Sequence, residues 1–391
     1  MSAKPVKLDI YKAAIPMRSF EHAAASRNES LSIITKLEYD SGKVGWGQTL
    51  PRDYVTGETL GSVPQDLEKL WEICTAENLL DLDCAQMPRE IPTELEGRFI
   101  GAAACCLDLA SCERIFSEDS AHQQAVLKFL TGKNAPAKKI SARVSGILGS
   151  ANPAKTKKRL RLMKLGGLRD FKLKLGFGEQ IDKQNLEITH RALAKLIRRG
   201  KASLRVDING GWAADKVSQN AAKLLEYDVC AIEQPVFCTA SELAKLAADS
   251  PIPLMGDESL LTMKDAHELA TAGDKILFNV RISKAGGILP ALKMLQFASE
   301  KNIAVSQGCM VGETSILSAA QRKLLAIAPA VRFAEGNWGK LLLGDDILHR
   351  GKALRFGYAG KLTPLKKPGL GIEICEDKIA QYCKLIKTLR C

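Results

Sequence analysis

The chain has 391 residues, 46% of them hydrophobic and 26% charged, with a formal net charge of +12. That length exceeds one ordinary domain and fits a barrel of about 250 residues with a smaller unit beside it. The ordinary balance of charged and apolar residues excludes a disordered chain.

A positive balance suits a nucleic acid, an anionic membrane or an anionic small molecule. The basic runs 155–161 and 198–201 sit in helical patterns interleaved with Ala, Leu and Ile, as solvated faces do. No nucleic-acid motif stands beside them, so no nucleic-acid partner is expected. No stretch is long and apolar enough to span a bilayer, so no membrane partner is expected either. The eleven cysteines lie scattered without a C-x-x-C pair, and the N-terminus lacks an apolar export segment. A reducing, cytoplasmic location is the expectation.

In chain order, residues 7–12 alternate in polarity, 31–38 are rich in β-branched residues, 41–43 read as a turn and 44–48 as a returning strand. Helical periodicity follows over 63–75 and 101–117. From about residue 139 strand and helix alternate. Strands are predicted at 140–144, 171–175, 204–208, 230–233, 254–257, 276–282, 304–307 and 331–334, with helices such as 186–199, 213–226 and 289–299 between them. This pattern favours a closed parallel barrel over a doubly wound open sheet, which would also want a glycine-rich nucleotide fingerprint that the chain lacks. A last helix is predicted at 379–389, in a basic stretch that could pack back on the first unit.

The charged residues fall at the C-terminal ends of these strands, where barrel enzymes keep their sites. A period of two puts Lys172 and Lys174 on one face. Facing inward, their mutual repulsion and burial would lower one pKa and make a base; facing outward, they would be ordinary solvated lysines. Asp207 and Asn209 share a face at the end of the third strand, Glu233 ends the fourth, and Asp257 and Glu258 end the fifth. Three converging carboxylates would repel one another, which makes a hard divalent cation their natural partner. Each alone could equally cap a helix. Lys284 follows the sixth strand, four strands from Lys174 in a ring of eight. Glu313 opens a helical pattern, where an acid favours the positive helix end.

Taken together, Lys172-x-Lys174, Asp207-x-Asn209, Glu233-Gln234-Pro235, Asp257-Glu258-Ser259 and Lys284-x-Gly286-Gly287 resemble the enolase superfamily, in its muconate-lactonizing subgroup within the mandelate racemase/muconate lactonizing enzyme family. The resemblance implies an α/β fold, a modified TIM barrel of (β/α)7β type with an α+β capping domain. Residues 1–135 would form the cap, 136–350 the barrel with the active site, and 351–391 a segment returning to the cap. It implies Mg²⁺, or Mn²⁺ in its place, on Asp207, Glu233 and Asp257. Lys174 would be the base on one face of a small carboxylate substrate, tuned by Lys172, with Lys284 as acid or base on the other face. Asn209 and Glu258 would support them, and proton abstraction next to the carboxylate would pass through an enediolate. A homo-oligomer is expected.

Substrate choice in this subgroup is set by a capping loop, here expected at 16–28, where Arg18 and His22 could meet anionic groups. Segment 51–58 is expected to line the same side. Dipeptide epimerases of the subgroup carry an Asp-x-Asp on strand eight; here Phe333-Ala334-Glu335-Gly336-Asn337 lacks it, with Glu335 as the available substitute. The expectation therefore leans to muconate cycloisomerase-like chemistry. Amino-acid or dipeptide racemisation or epimerisation and o-succinylbenzoate synthase-like dehydration are the alternatives. A non-catalytic binding protein on a degenerate barrel is the alternative of another class.

Overall fold

The computed structural model describes residues 3–22, 25–83 and 86–391, with the side chains of 19–27 outside the description. Three strands open the chain: β1 (Pro5–His22), β2 (Ala25–Tyr39) and β3 (Val44–Thr49). They pair antiparallel in chain order. Alternation puts Leu8, Ile10, Ile33 and Leu37 on one buried face, packed on the helices Ser62–Ala76 and Gly101–Ala110. The second helix is buried along its whole length. Gly45 and Gly47 let it come close, since a Cβ at either would run into the carbonyls of Ala110 and Cys106.

Two expectations for this unit change. The segment 16–28, expected as a loop, continues the hairpin where it is described, with Pro16 opposite Glu29 and Phe20 opposite Arg27. The helix predicted at 379–389 stops early: Glu376–Tyr382 is helical, and Cys383–Arg390 is a strand on the free edge of β1, from Lys7 opposite Arg390 to Ala13 opposite Cys383. The reason is non-local. The open edge of β1 carries unpaired N–H and C=O groups, and pairing them outweighs the helical periodicity of the tail.

The barrel strands are β4 (Gly146–Leu148), β5 (Asp170–Lys174), β6 (Ser203–Asp207), β7 (Val229–Glu233), β8 (Leu254–Gly256), β9 (Ile276–Arg281), β10 (Val305–Gly308) and β11 (Phe333–Ala334). The tail strand Cys383–Arg390 is β12. The eight barrel strands pair parallel in chain order. The seam closes where Val144 bridges Ala334 and the Ser145 N–H donates to the Ala334 carbonyl at 2.8 Å. Helices Pro153–Leu165, Glu179–Ile197, Val217–Leu224, Ala240–Ala248, Met263–Ala270, Ile288–Glu300 and Ser315–Ile327 fill the connections. This is the (β/α)7β pattern anticipated above. The first strand begins later than predicted, because Ile140, Ala142 and Val144 pack against Leu325 and Leu362 instead of pairing along their length. Among the described residues no helix is long and apolar enough to cross a membrane.

The barrel interior is layered. Ala231, Met255, Leu277 and Phe333 make an apolar layer, with the Arg205 guanidinium 4.0 Å from the Phe333 ring centre. Two residues further along the same strands come Glu233, Asp257, Asn279, Glu335 and Asp207, all buried. The two-residue period thus turns an apolar floor into a charged layer at the C-terminal mouth.

Candidate active site

Parallel register brings the charged ends together: Lys174 lies opposite Asp207, and Asp207 opposite Glu233. Asp257 follows the last residue of β8, where Gln234 steers it. Gln234 adopts a left-handed φ of 34°, and its side-chain oxygen accepts the N–H groups of Asp257 (2.8 Å) and Ser259 (3.1 Å). Asn209, also left-handed at φ 47°, turns back so that its amide oxygen accepts from Lys174 Nζ at 2.9 Å.

Cations pair with these carboxylates, and some are shared. Lys172 Nζ donates to both Glu233 oxygens (2.9 and 3.1 Å) and to Glu335 at 2.8 Å. Lys174 Nζ lies 3.0 Å from Asp207. Arg281 and Lys284 both hold Asp257. Arg205, with no exposed surface, donates to Ser306, Ser145 and Glu335. Charge pairing on this scale offsets the cost of burying so many ions.

The ionisation of each group follows from these partners. Burial alone would depress Lys172, yet Glu233, Glu335 and Asp207 hold it above its usual range. The mutual repulsion with Lys174 expected from the sequence is therefore outweighed by the carboxylates that close on Lys172. Burial opposes ionisation of Asp207, but Lys174 and Lys172 bring it down to about 2. Burial raises Glu233 against the pull of Lys172, and pushes Glu258 up to about 7 and Glu313 up to about 8. Glu313 does not cap the helix that follows; its carboxylate accepts the Met310 N–H at 2.7 Å.

A cavity of about 540 Å³ opens over this layer. Lys172, Lys174, Asn209, Glu258, Arg281, Glu313 and Glu335 line it below, Met163, Phe237, Met310, Trp338 and Leu341 along the walls, and Arg18, Arg52 and Arg159 above. Arg18 arrives there because its N–H donates to the Leu342 carbonyl at 2.8 Å. The His22 side chain lies outside the described residues.

Two expectations are corrected by this geometry. Lys284 does not face Lys174 across the cavity. It is 1% exposed and donates to the backbone carbonyls of Asp257 and Asn279. Strand β9 ends at Arg281, and the helical turn Ile282–Ala285 breaks the two-residue alternation, which carries Lys284 behind Asp257. The cation opposite Lys174 is Arg281, in register with inward-facing Asn279, whose amide donates to Glu233 at 2.9 Å. Counting by twos from Asn279 was the signal that would have found it. Glu335, for its part, is not free to hold a substrate amine, because Lys172 and Arg205 take both of its oxygens.

In chemical kind, the donor set fits a hard divalent cation. Asp207, Glu233 and Asp257 are wholly buried oxygen donors, and Asp207 Oδ2 is met by the ammonium groups of Lys174 at 3.0 Å and Lys172 at 3.7 Å. As arranged, no group of three acids among the described residues converges to hold an ion, because the lysines and Arg281 occupy them.

A family model described as "Enolase C-terminal domain-like" matches residues 155–378. The N-succinyl-L-Arg/Lys racemase of Bacillus cereus is 27% identical over 386 residues, 97% of each chain. Its crystal structure superposes with a TM-score of 0.80 at 23% identity, covering 99% of this chain and 100% of that one. Muconate cycloisomerase 1-1 of Acinetobacter lwoffii is 30% identical over 222 residues, 56% of each chain. The dipeptide epimerase of Cytophaga hutchinsonii, solved with Mg and the dipeptide D-Ala-L-Val, gives a TM-score of 0.75 at 18% identity over 99% of both chains.

Proposed function

Because the chain belongs to the enolase C-terminal domain-like family, we propose that it removes the proton α to the carboxylate of a small substrate, with Lys174 as the base. It is an enzyme, and its relatives are racemases, epimerases and cycloisomerases, all of them isomerases. The observation that carries the reading is the position of Lys174 Nζ. It is held 2.9 Å from the Asn209 amide oxygen and 3.0 Å from Asp207, on the charged floor of the cavity.

In this reading Asp207, Glu233 and Asp257 hold Mg²⁺. Bound there, the ion would draw charge from the substrate carboxylate and so acidify the neighbouring C–H. The remaining work belongs to the protein. Arg281 offers its guanidinium to a substrate oxygen, and Asn209 aims the Lys174 amine. The Met163, Phe237 and Trp338 side chains keep water from the reacting carbon. Proton transfer by a positioned base accounts for about 10²–10⁴-fold of the rate. The racemase of Bacillus cereus supports acylated amino acids as substrates, since it aligns over 97% of both chains. The Acinetobacter enzyme supports muconate-like diacids.

The test is solvent exchange. N-succinyl-L-lysine, N-succinyl-L-arginine, L-Ala-L-Glu and cis,cis-muconate are incubated in D₂O with Mg²⁺ and followed by NMR. Deuterium at the α-carbon, or lactone from muconate, is expected with the wild type and lost with Lys174→Ala. No exchange and no lactone with any of the four would count against the reading.

A further inference from the structure

We infer that Arg281 makes this site one-faced, so that the proton leaves and returns only on the Lys174 side and the enzyme does not invert its substrate. The inference rests on the α-proton reading above and narrows it to a reaction class.

The geometry carries it. Lys174 and Arg281 are both partly open to the cavity, at 13% and 12% side-chain exposure, and Lys284 is sealed behind Asp257. Lys174 projects from β5 and Arg281 from β9, four strands apart around a ring of eight, so a carboxylate between them is flanked by an amine and a guanidinium. An amine can take a proton and give it back. A guanidinium stays protonated in proteins and does neither.

Arg281 is nonetheless built to bind an anion. Its Nη2 holds Asp257. Nη1 is left with the thioether of Met310 at 3.3 Å, a weak acceptor. Nε is buried with no hydrogen-bond partner. Nη1, with only a thioether against it, is the donor left for a substrate carboxylate oxygen.

The step balances without an outside reagent. Lys174 takes the α-proton, and the C–H electron pair becomes the double bond to the carboxyl carbon. That pair then forms a Cα–Cβ double bond as the Cβ–oxygen bond breaks. The oxygen leaves with its electrons and collects the proton from the Lys174 ammonium on the same face. Run backwards within one molecule, this is closure of a lactone ring. Both directions are syn and need one base, whereas inversion needs a second proton carrier where Arg281 stands.

The experiment uses the Mg²⁺-loaded protein with the separate L and D enantiomers of N-succinyl-lysine and N-succinyl-arginine in D₂O, read by NMR for deuterium and by chiral chromatography for configuration. Deuterium is expected in one enantiomer of a pair, with configuration kept and inversion at least 100-fold slower than exchange. Arg281→Lys, which places an amine on that face, is expected to raise inversion at least 10-fold over wild type. Inversion by the wild type at the rate of exchange overturns the inference. If Glu313→Gln then abolishes it, the second proton belongs to that carboxyl. Exchange in neither enantiomer, with no lactone from cis,cis-muconate either, overturns the α-proton reading, and this inference falls with it. A readout independent of activity is ¹³C-methylation with formaldehyde and borohydride on the metal-free protein. Lys174 should label and Lys284 should not; equal labelling of the two overturns the geometry on which the inference stands.

Discussion

Asp257 is the residue on which most of the site's charge balance turns, because Arg281 and Lys284 both lean on its carboxylate. In Asp257→Asn two cations lose their charged partner in a buried layer. A loss of about 3 kcal/mol in urea unfolding of the metal-free protein is expected, together with weaker Mg²⁺ binding by calorimetry. Unchanged stability would mean that water, rather than Asp257, solvates those cations. Glu313 sets a pH dependence of the opposite kind. Burial raises its carboxyl from 4.5 to about 8, so between those values the folded chain holds a proton that the unfolded chain has lost. Stability should therefore fall as pH rises through that window, by at most about 1.4 kcal/mol per pH unit. Glu313→Gln should flatten this slope when unfolding is compared at pH 5.5 and 7.5. An equal slope in both proteins would remove Glu313 as its source.

At the scale of elements, the barrel and the cap meet through the turn after β9. Gly287 begins the helix Ile288–Glu300 at φ 124°, and a Cβ there would run into the Asp108 carboxylate. Asp108, on the helix Gly101–Ala110, accepts the Ile288 N–H at 2.6 Å and is braced by Arg114 at 3.3 Å. Ser283 in the same turn meets Thr49 of β3 at 2.9 Å. The turn that hides Lys284 and presents Arg281 is thus clamped by the cap. Gly287→Ala combines backbone strain with a steric clash, and should cost about 1–3 kcal/mol in thermal or urea unfolding. If it is neutral, the turn is not clamped as described.

For the molecule as a whole, the two chain ends are tied together, since β12 covers the edge of β1. Removing 383–391 would expose that edge beside the buried Leu8 and Ile10, a template for pairing between chains. The truncated protein should aggregate and lose thermal stability, as light scattering and a melting curve would show. A monodisperse truncation with unchanged melting would indicate that the tail strand is dispensable. The same closure shapes the site, for the segment from Pro16 to Arg18 that reaches the cavity rim belongs to β1, and Gly344 donates to the Pro16 carbonyl at 2.7 Å.

The alternation of strands and helices was legible in the sequence, because parallel barrel strands are short apolar runs with a polar C-terminal residue, and that signal is local. So were the places of Lys174, Asp207, Glu233 and Asp257, since each stands at or just past the end of its strand. What only the tertiary structure decided was pairing across distance. Lys172 reads as a neighbour that tunes Lys174 until Glu233 and Glu335 close on it from 61 and 163 residues away. The tail reads as a helix until β1 offers an edge. Lys284 reads as the second base until the turn at Ile282–Ala285 carries it behind Asp257 and leaves Arg281 facing the cavity. Periodicity within a segment says which residues share a face. Which face meets the cavity, and which charges meet each other there, is set by where a strand ends and what packs beside it.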